Sequence, residues 1–493
     1  MELKIKFSKW AAGIPVVMLN KKTASEIGVH PQNMILIKTL SRNPRQISAV
    51  IDIVEDSLKN NEILVSSEIK ERLNLTSGQK VDVNITPSTK SLAYIKKKLE
   101  GKRLSKTEIT EIIKDIVNNS LSESEIALFI AGMSKEGMTM KEIIYLIKAM
   151  LKFGNELEIN KEFVVDKHSI GGVPGNRTTP IVVSICSAAG LTFPKTSSKA
   201  ITSAAGTADT IETIARVDFS MSELKKILKK TNAFMVWGGS LGLVPADSKI
   251  IEVEKSLTID PRSQLIASIM SKKFAAGSKY ILIDIPYGKN AKVTKKKAER
   301  LKRDFAKLGK YFRKKIKCIL TDGSQPIGNG IGPALELRDI IKILNPSENG
   351  PSDLEKKSLT LSGMILEMTG KAKKGKGIEL AKEILYSGKA FEKFKEIINA
   401  QKGSLSRLRD AKFKKDILAK RNGKIKEIDG KKIVILARIL GCPVDKFSGI
   451  YLNVHVGDSF KKGEKLMTFH SETQSRIREA VESYKERSPL RTK

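Results

Sequence analysis

The sequence predicts a multidomain α/β protein with a small N-terminal β-barrel-like domain, a helical bundle domain, a central α/β domain with a mixed or parallel sheet, and a small C-terminal β domain. Three observations lead to this fold class. The length of 493 residues suits two to four domains and is enough to bury a full core. The apolar pattern changes from alternation to helical spacing near residue 90. From residue 161 onwards, short apolar runs alternate with helical segments.

Residues 1–87 carry a faint internal repeat. The segments "ASEIGVHPQNMILIK" (24–38) and "IKERLNLTSGQKVDVNI" (69–85) lie about 46 residues apart, and each reads as a helix, a turn and an alternating strand. Two such units predict a small pseudo-symmetric β barrel.

Residues 91–160 have the apolar spacing of helices. Isoleucines recur at helical intervals from Ile109 to Ile116, and the pattern continues through residues 121–154. Ser122 precedes Glu125 at the spacing of a capping box. We therefore predict a helical domain here, with a further helical segment near 245–275.

Residues 161–415 read as the central α/β domain. The apolar runs "FVVDKHS" and "YILIDIPYG" each end in a loop, as parallel strands do. Ligands bind beyond the carboxyl ends of such strands, which points to residues 166–175 and 288–292. After residue 420 the pattern returns to alternation with glycine turns, and this predicts a small β domain over 420–493.

The stretch "DKHSIGGVPGNRTTP" (166–180) has the composition of an anion-binding loop. Gly171 and Gly172 allow backbone N–H groups to approach a ligand closely, while Lys167 adds a charge and Ser169 a hydroxyl. The alternative is an ordinary strand-to-helix turn.

A second stretch, "KTSSKAITSAAGTADTIE" (195–212), is rich in hydroxyl groups. Its turn at Gly206 and Thr207 leads into a predicted helix, whose N-terminus favours an anion. A solvated Ser/Thr loop is the alternative reading.

The formal net charge of +35 favours an anionic substrate or partner. The densest basic run, residues 295–317, spaces Ala298, Leu301, Phe305 and Leu308 as one helix face, which predicts an amphipathic helix with a solvated basic side. The alternatives are non-specific attraction of RNA and steering of anions. The three cysteines lie far apart and fit a reducing cytoplasm.

Four motifs in order resemble the thymidine phosphorylase family: "KHSIGGV" (167–173), "SSKAITSAAGTADTIE" (197–212), "LIASIMSKK" (265–273) and "TDGSQPIGNGIGPALELRD" (321–339). The resemblance covers about residues 91–471. The N-terminal extension, together with "VPGNRTT" and "SLTIDPRSQLIAS", is similar to the archaeal AMP phosphorylase branch of that family.

The resemblance implies phosphorolysis of a nucleoside 5′-monophosphate, giving the free base and ribose 1,5-bisphosphate, with AMP as the first expectation and CMP and UMP as further candidates. It implies that Asp260 is the proton donor and that inorganic phosphate binds at Lys167, Ser169, Ser197 and Thr207. It implies AMP contacts at Gly172, Ser198, Lys199, Ala200, Ile201, Thr202, Ser203, Thr207, Ser268 and Lys292.

Two positions depart from the family pattern. Lys199 stands where the signature has arginine, so the planar fork that binds a phosphate bidentately is lost. Pyrimidine phosphorylases carry an arginine for the base shortly before the "LIAS" motif, whereas residues 252–255 contain none, which counts against a pyrimidine substrate.

A purine leaves poorly as an anion, so a positioned acid speeds its departure. We expect Asp260 to be buried, because a carboxylic acid donates a proton only when it holds one. A helix N-cap before Pro261 is the alternative role, and His168 is the alternative acid.

Three other activities stay open at this point. They are a thymidine or pyrimidine nucleoside phosphorylase, a magnesium-dependent phosphoribosyltransferase similar to anthranilate phosphoribosyltransferase, and a nucleic-acid-binding protein built on an inactive enzyme. The leading hypothesis predicts no metal and no cofactor, with inorganic phosphate as co-substrate. It also predicts no membrane or specific nucleic-acid partner, and a cytoplasmic homodimer or larger homo-oligomer.

Overall fold

The chain divides into two compact units. One comprises Met1–Gly154 and Val244–Ser268, and the other comprises Asn155–Leu243 and Ile269–Lys493. The structure is a computed structural model, and it describes residues 1–7, 10–55, 57–85, 89–200, 203–239 and 241–493.

The first unit begins with a closed six-stranded barrel. Its strands are β1 (Glu2–Phe7), β2 (Val16–Asn20), β3 (Met34–Thr39), β4 (Gln46–Val54), β5 (Glu62–Val65) and β6 (Lys80–Ile85), in the order β1-β5-β2-β4-β3-β6. Two short helices accompany them, α1 (Lys21–Ile27) and α2 (Ser67–Leu73). The pairs α1–β3 and α2–β6 are offset by 46 residues, the interval of the sequence repeat. Both strands turn alternate apolar side chains into the barrel core.

The rest of the first unit is helical: α3 (Lys90–Leu99), α4 (Lys106–Val117), α5 (Glu123–Lys135), α6 (Met140–Lys152), α10 (Pro245–Leu257) and the first half of α11 (Arg262–Ala275). Helices α4, α5 and α6 each start with a capping box, which supplies partners for their first N–H groups. At the other end of α4, the last carbonyls accept hydrogen bonds from Lys249 and Arg72. These cations stabilise the negative end of the helix and fix the barrel helix α2 to the bundle.

The second unit is built on parallel strands: β7 (Val165–Ser169), β8 (Phe193–Ser197), β9 (Ala233–Trp237), β10 (Tyr280–Tyr287) and β11 (Lys315–Asp322). Strands β11, β10 and β7 form one sheet and β8 and β9 another, and a parallel bridge between Val164 and Thr192 joins them. All five strands therefore end at one edge. The surrounding helices are α7 (Thr178–Ala188), α8 (Thr207–Glu212), α9 (Met221–Thr231), α12 (Lys295–Tyr311), α13 (Pro333–Leu344), α14 (Ser352–Met368), α15 (Gly377–Tyr386) and α16 (Lys389–Ala400).

The C-terminal part of this unit corrects a prediction, because it is not purely β. Its strands are β12 (Gly330–Ile331), β13 (Phe413–Leu418), β14 (Gly423–Ile428), β15 (Gly449–Leu452), β16 (Ser459–Phe460), β17 (Lys465–Ser471) and β18 (Leu490–Thr492), but they are accompanied by α17 (Gly430–Leu440) and α18 (Gln474–Glu486). The run "KKIVIL" (431–436) falls within the range 420–493 that was predicted as a β domain. It is helical because Asp429 caps the N–H groups of Lys431 and Lys432, and Ile433, Leu436 and Leu440 then bury one helix face.

Within the described ranges, no helix is long and apolar enough to cross a membrane.

Candidate active site

Three loops meet at the carboxyl edge of the parallel sheet. In the loop after β7, Gly172 has φ +99°, and a Cβ atom there would lie 2.4 Å from the backbone nitrogen of Lys292 in the loop after β10. A Cβ atom on Gly175 would lie 2.2 Å from the carbonyl oxygen of Ile327, after β11. Glycine is therefore required by close backbone approach as well as by the left-handed conformation. Gly172 and Lys292, predicted from separate motifs, are neighbours.

Lys167 lies at the centre of this edge with only 1% of its surface exposed. Its Nζ donates to Oγ1 of Thr178 at 2.6 Å and to Oγ1 of Thr179 at 3.5 Å, at the start of α7. Burial lowers the pKa of Lys167 to about 7, although the nearby Asp284 carboxylate opposes the shift. A buried lysine whose hydrogen-bond partners among the described residues are hydroxyls is suited to bind an anion.

Further buried charges surround Lys167. Asp166 is paired with Lys195 at 3.1 Å and with Lys273 at 2.9 Å, and Asp284 is paired with Lys357 at 3.1 Å. Burial also lowers the pKa of Lys273 to about 7. Together with Lys167, four buried or nearly buried lysines face two carboxylates, so the sheet edge carries excess positive charge.

The second predicted loop is held in shape by Asp209. Its Oδ2 accepts hydrogen bonds from the backbone nitrogens of Ala200 at 2.6 Å and Gly206 at 2.8 Å. A Cβ atom on Gly206 would lie 2.5 Å from the carbonyl oxygen of Ser198, so the two ends of the loop touch. The predicted contacts Ile201 and Thr202 lie outside the described residues.

The predicted hydroxyl groups have different environments. The buried hydroxyl oxygens of Thr196 and Ser197 have no hydrogen-bond partner among the described residues. The Ser169 hydroxyl accepts a hydrogen bond from Asn176 at 3.3 Å, and Ser203 donates to the carbonyl of Ala205 at 2.9 Å. Buried hydroxyls usually find a partner, so Ser197 is well suited to contact a ligand.

Lys199 is engaged by its own surroundings. Its Nζ lies 2.7 Å from Oε1 of Glu212 and 5.0 Å from the ring centroid of Trp237. The other oxygen of Glu212 is bound by Lys446 at 2.6 Å. These contacts fix the lysine that replaces the family arginine. Ser198 and Lys292 are exposed residues.

Two predicted residues, Asp260 and Ser268, belong to the first unit. The expected burial of Asp260 is wrong, because the residue is exposed. It precedes Pro261, whose carbonyl accepts the first backbone bond of α11 from Leu265 at 2.9 Å. Ser268 is 8% exposed and donates to Asp247 at 3.0 Å.

His168 is a poor alternative acid. Burial and the neighbouring Lys273 and Lys195 hold its pKa well below the usual range. The imidazole is therefore neutral near pH 7, and it has no readily lost imidazolium proton.

Several residues that build this site have no role predicted from the sequence. Arg177 and Asp209 lie inside quoted motifs, and Lys195 and Lys273 sit at the edge of others. The sequence feature that could have identified them is a charged residue within or beside a motif of small, hydroxyl or apolar residues. Among the described residues, no group of three or more His, Cys, Asp or Glu side chains could hold a metal ion.

Three family models match the chain. They are the helical bundle domain of a glycosyl transferase family over residues 92–154, the a/b domain of the same family over residues 161–391, and the pyrimidine nucleoside phosphorylase C-terminal domain over residues 424–491. The fold and these domains define the class of the protein as a glycosyl transferase.

Similar curated proteins identify the family within the glycosyl transferase class. The AMP phosphorylase of Pyrococcus horikoshii is 45% identical over 100% of this chain and 98% of its own length, and that of Pyrococcus abyssi is 46% identical over 98% and 96%. The chain therefore belongs to the AMP phosphorylase family. Anthranilate phosphoribosyltransferase from Thermus thermophilus shares the fold, with a TM-score of 0.53 and 16% identity over 63% of this chain and 99% of that one.

Proposed function

We propose that this protein catalyses the phosphorolysis of AMP to adenine and ribose 1,5-bisphosphate. The observation that carries the proposal is the excess positive charge at the sheet edge, where Lys167 donates to the hydroxyls of Thr178 and Thr179. A phosphate dianion would balance this charge. The full-length similarity to AMP phosphorylases supports the same reaction.

The proposed phosphate site consists of Lys167, Ser169, Ser197 and Thr207. Lys167 supplies charge, and the buried, unpartnered hydroxyl of Ser197 can donate to a phosphate oxygen. An oxygen of the bound phosphate attacks C1′ as the bond from C1′ to the base breaks, and the bonding electrons leave with the base. The sugar becomes positively charged in the transition state, so a dianion held against C1′ stabilises it. Such positioning is worth about 7–11 kcal/mol at best.

The proposed nucleotide site consists of Gly172, Ser198–Ser203, Thr207, Ser268 and Lys292. Lys292 and the backbone of Gly172 are in contact, which supports their joint role. Lys292 is an exposed residue, and its ammonium group has the charge to bind the 5′-phosphate, which distinguishes AMP from adenosine. Lys199 also belongs to the proposed nucleotide site, and its ammonium group forms an ion pair with Glu212.

Asp260 is proposed as the acid that protonates the leaving base at N7. The motif "SLTIDPRSQLIAS" supports this role through the family resemblance. Since Asp260 is exposed, the proposal requires that substrate binding itself removes water from the carboxyl group.

The remaining proposals concern the setting of the reaction. We propose that the enzyme works in the cytoplasm as a homodimer or larger homo-oligomer, with phosphate as co-substrate and without a metal or other cofactor.

The test is release of adenine from AMP and inorganic phosphate in the presence of EDTA, with adenosine, CMP, UMP and uridine as matched substrates. We expect turnover of AMP that exceeds turnover of adenosine and is insensitive to EDTA. Preference for uridine over AMP would establish the nucleoside phosphorylase alternative. Loss of activity with EDTA would contradict the metal-free mechanism.

A further inference from the structure

We propose that Arg177 is a positioning residue that fixes the hydroxyl of Thr207 as a hydrogen-bond donor to inorganic phosphate. The proposal rests on the phosphate site proposed above. It adds to that site Arg177, which is not among the four residues named there. Arg177 lies within the first predicted loop (166–180), and it directly precedes α7.

The guanidinium group of Arg177 makes three hydrogen bonds in different directions. Its Nε donates to Oε2 of Glu336 at 2.7 Å, Nη1 donates to Oγ1 of Thr207 at 3.0 Å, and Nη2 donates to the carbonyl oxygen of Ala205 at 2.7 Å. The planar fork of arginine can satisfy all three at once, whereas a lysine ammonium is a point charge on a flexible stem.

This geometry determines the direction of the Thr207 hydroxyl. A threonine hydroxyl has one proton to donate and two lone pairs to accept with. Because Oγ1 of Thr207 accepts from Arg177, its own proton points away from the guanidinium group. Thr207 is therefore presented as a donor, which is what a phosphate oxygen needs.

Glu336 holds the arginine in place. Its carboxylate is 2% exposed, lies on α13, and also accepts a hydrogen bond from Thr210 at 3.3 Å. Burial raises the pKa of Glu336, and the Arg177 charge opposes that shift. The arginine thus joins the start of α7, the loop before α8 and helix α13 into one rigid support.

Thr178, the residue after Arg177, has a similar hydrogen bond. Thr178 accepts a hydrogen bond from Lys167 at 2.6 Å, so its proton is also directed away from a cation. Two adjacent cations, Lys167 and Arg177, thus each orient one threonine. Thr207 belongs to both proposed sites, and the hydrogen bond that this proposal concerns is the one from its hydroxyl to inorganic phosphate.

The test compares Arg177→Lys, Thr207→Val and the double variant, with Arg216→Lys as a control for an exposed arginine paired to Glu223. We expect Arg177→Lys to raise the KM for phosphate about tenfold, the usual worth of a charge-assisted hydrogen bond. The KM for AMP should rise less than the KM for phosphate. Arg177→Lys should have no further effect on the phosphate KM in the Thr207→Val background, because the hydroxyl through which Arg177 acts is gone.

Two results would overturn the proposal. One is an equal rise in the phosphate KM with or without the Thr207 hydroxyl, which would mean that Arg177 binds phosphate directly or acts only on stability. The other is an equal rise in the KM values for AMP and phosphate. If Arg177→Lys does not fold, Arg177→Gln combined with Glu336→Gln removes both buried charges, and the same comparison is made in that background.

Calorimetric titration of the variants with inorganic phosphate alone separates this proposal from the proposed function. If the wild-type protein binds phosphate but releases no base from AMP, the function is refuted while the Arg177–Thr207 coupling is still measured. If the coupling is absent from phosphate affinity in an active enzyme, only the role of Arg177 is refuted.

Discussion

At the scale of single residues, we expect Lys167 to set the pH range in which the proposed phosphate site carries its full charge. Its pKa in the folded protein is about 7, well below the ordinary value for lysine. A bound dianion favours the protonated form, so phosphate binding takes up a proton above pH 7. We expect the KM for phosphate to rise between pH 7 and 9, by at most about tenfold per pH unit for each coupled proton. Lys167→Met should raise the KM at pH 7 and flatten this rise.

The lowered pKa of Lys167 also affects the free energy of unfolding. A lysine in an ion pair has a raised pKa and loses stability as pH rises, whereas Lys167 contributes the opposite pH dependence. Between pH 7 and the ordinary lysine pKa, the unfolded chain binds a proton that the folded chain does not, so the free energy of unfolding increases with pH there. Phosphate should accordingly stabilise the protein most at the lower end of this range.

The kinetic prediction has a clear contrary outcome. A phosphate KM that does not change with pH in the wild type would show that Lys167 does not face the phosphate.

The second residue-scale prediction concerns Asp260. We expect Asp260→Asn to retain AMP affinity and lose about a hundredfold or more in kcat, because the amide is near-isosteric but cannot supply the proton. Single-turnover rates and equilibrium binding of AMP measure the two effects separately. Turnover at the parent rate would leave Asp260 with its alternative role as the N-cap of α11. The proton donor would then be a different residue.

At the scale of elements, the contact between the loops after β7 and β10 is a matter of backbone geometry. Gly171 and Gly172 both have positive φ, at +85° and +99°, but only at Gly172 does the Cβ position collide with a neighbour, the backbone nitrogen of Lys292 at 2.4 Å. We expect Gly172→Ala to raise the KM for AMP at least tenfold by pushing the loops apart, and Gly171→Ala to have a much smaller effect. Steady-state kinetics of the two variants decide this, since both carry the same conformational strain. Equal losses would show that strain and not loop contact is responsible.

The elements also show how far the sequence predicts this fold. Alternation, helical spacing and capping boxes act over a few residues, and they locate the helices of the bundle, the parallel strands and the two glycine-rich loops. Helix α17 was missed because a short apolar run fits a strand or a helix equally well until its cap is considered. The partnership of Arg177 with Glu336 joins residues 159 positions apart, and no local pattern reports it. The exposure of Asp260 likewise depends on tertiary packing.

At the scale of the whole molecule, the net charge of +35 is less evenly spread than its lysine content suggests. The α12 basic surface, defined as residues 295–317, holds twelve Lys and Arg residues against Glu299 and Asp304, a net charge of +10. Helix α12 buries its apolar face, including Leu301 and Phe305, as the amphipathic pattern predicted. It begins at Lys295, just after the loop that carries Lys292, so the cations of its first turn are close in sequence to the proposed nucleotide site.

This surface should raise the local concentration of anionic substrates, and the effect should be screened by salt. We expect kcat/KM for AMP to fall roughly tenfold between low and high ionic strength in the wild type. Replacing four exposed lysines of α12 by glutamine should lower kcat/KM at low salt and weaken its salt dependence; these are Lys295, Lys296, Lys302 and Lys307. The control removes the same charge from the exposed face of α9, at Lys225, Lys226, Lys229 and Lys230. Since both variants lose the same charge, a larger loss in the α12 variant would show that the position of the charge matters. Equal losses in the two variants would assign the effect to net charge alone, and no loss in either would leave the α12 basic surface as a solvated helix face.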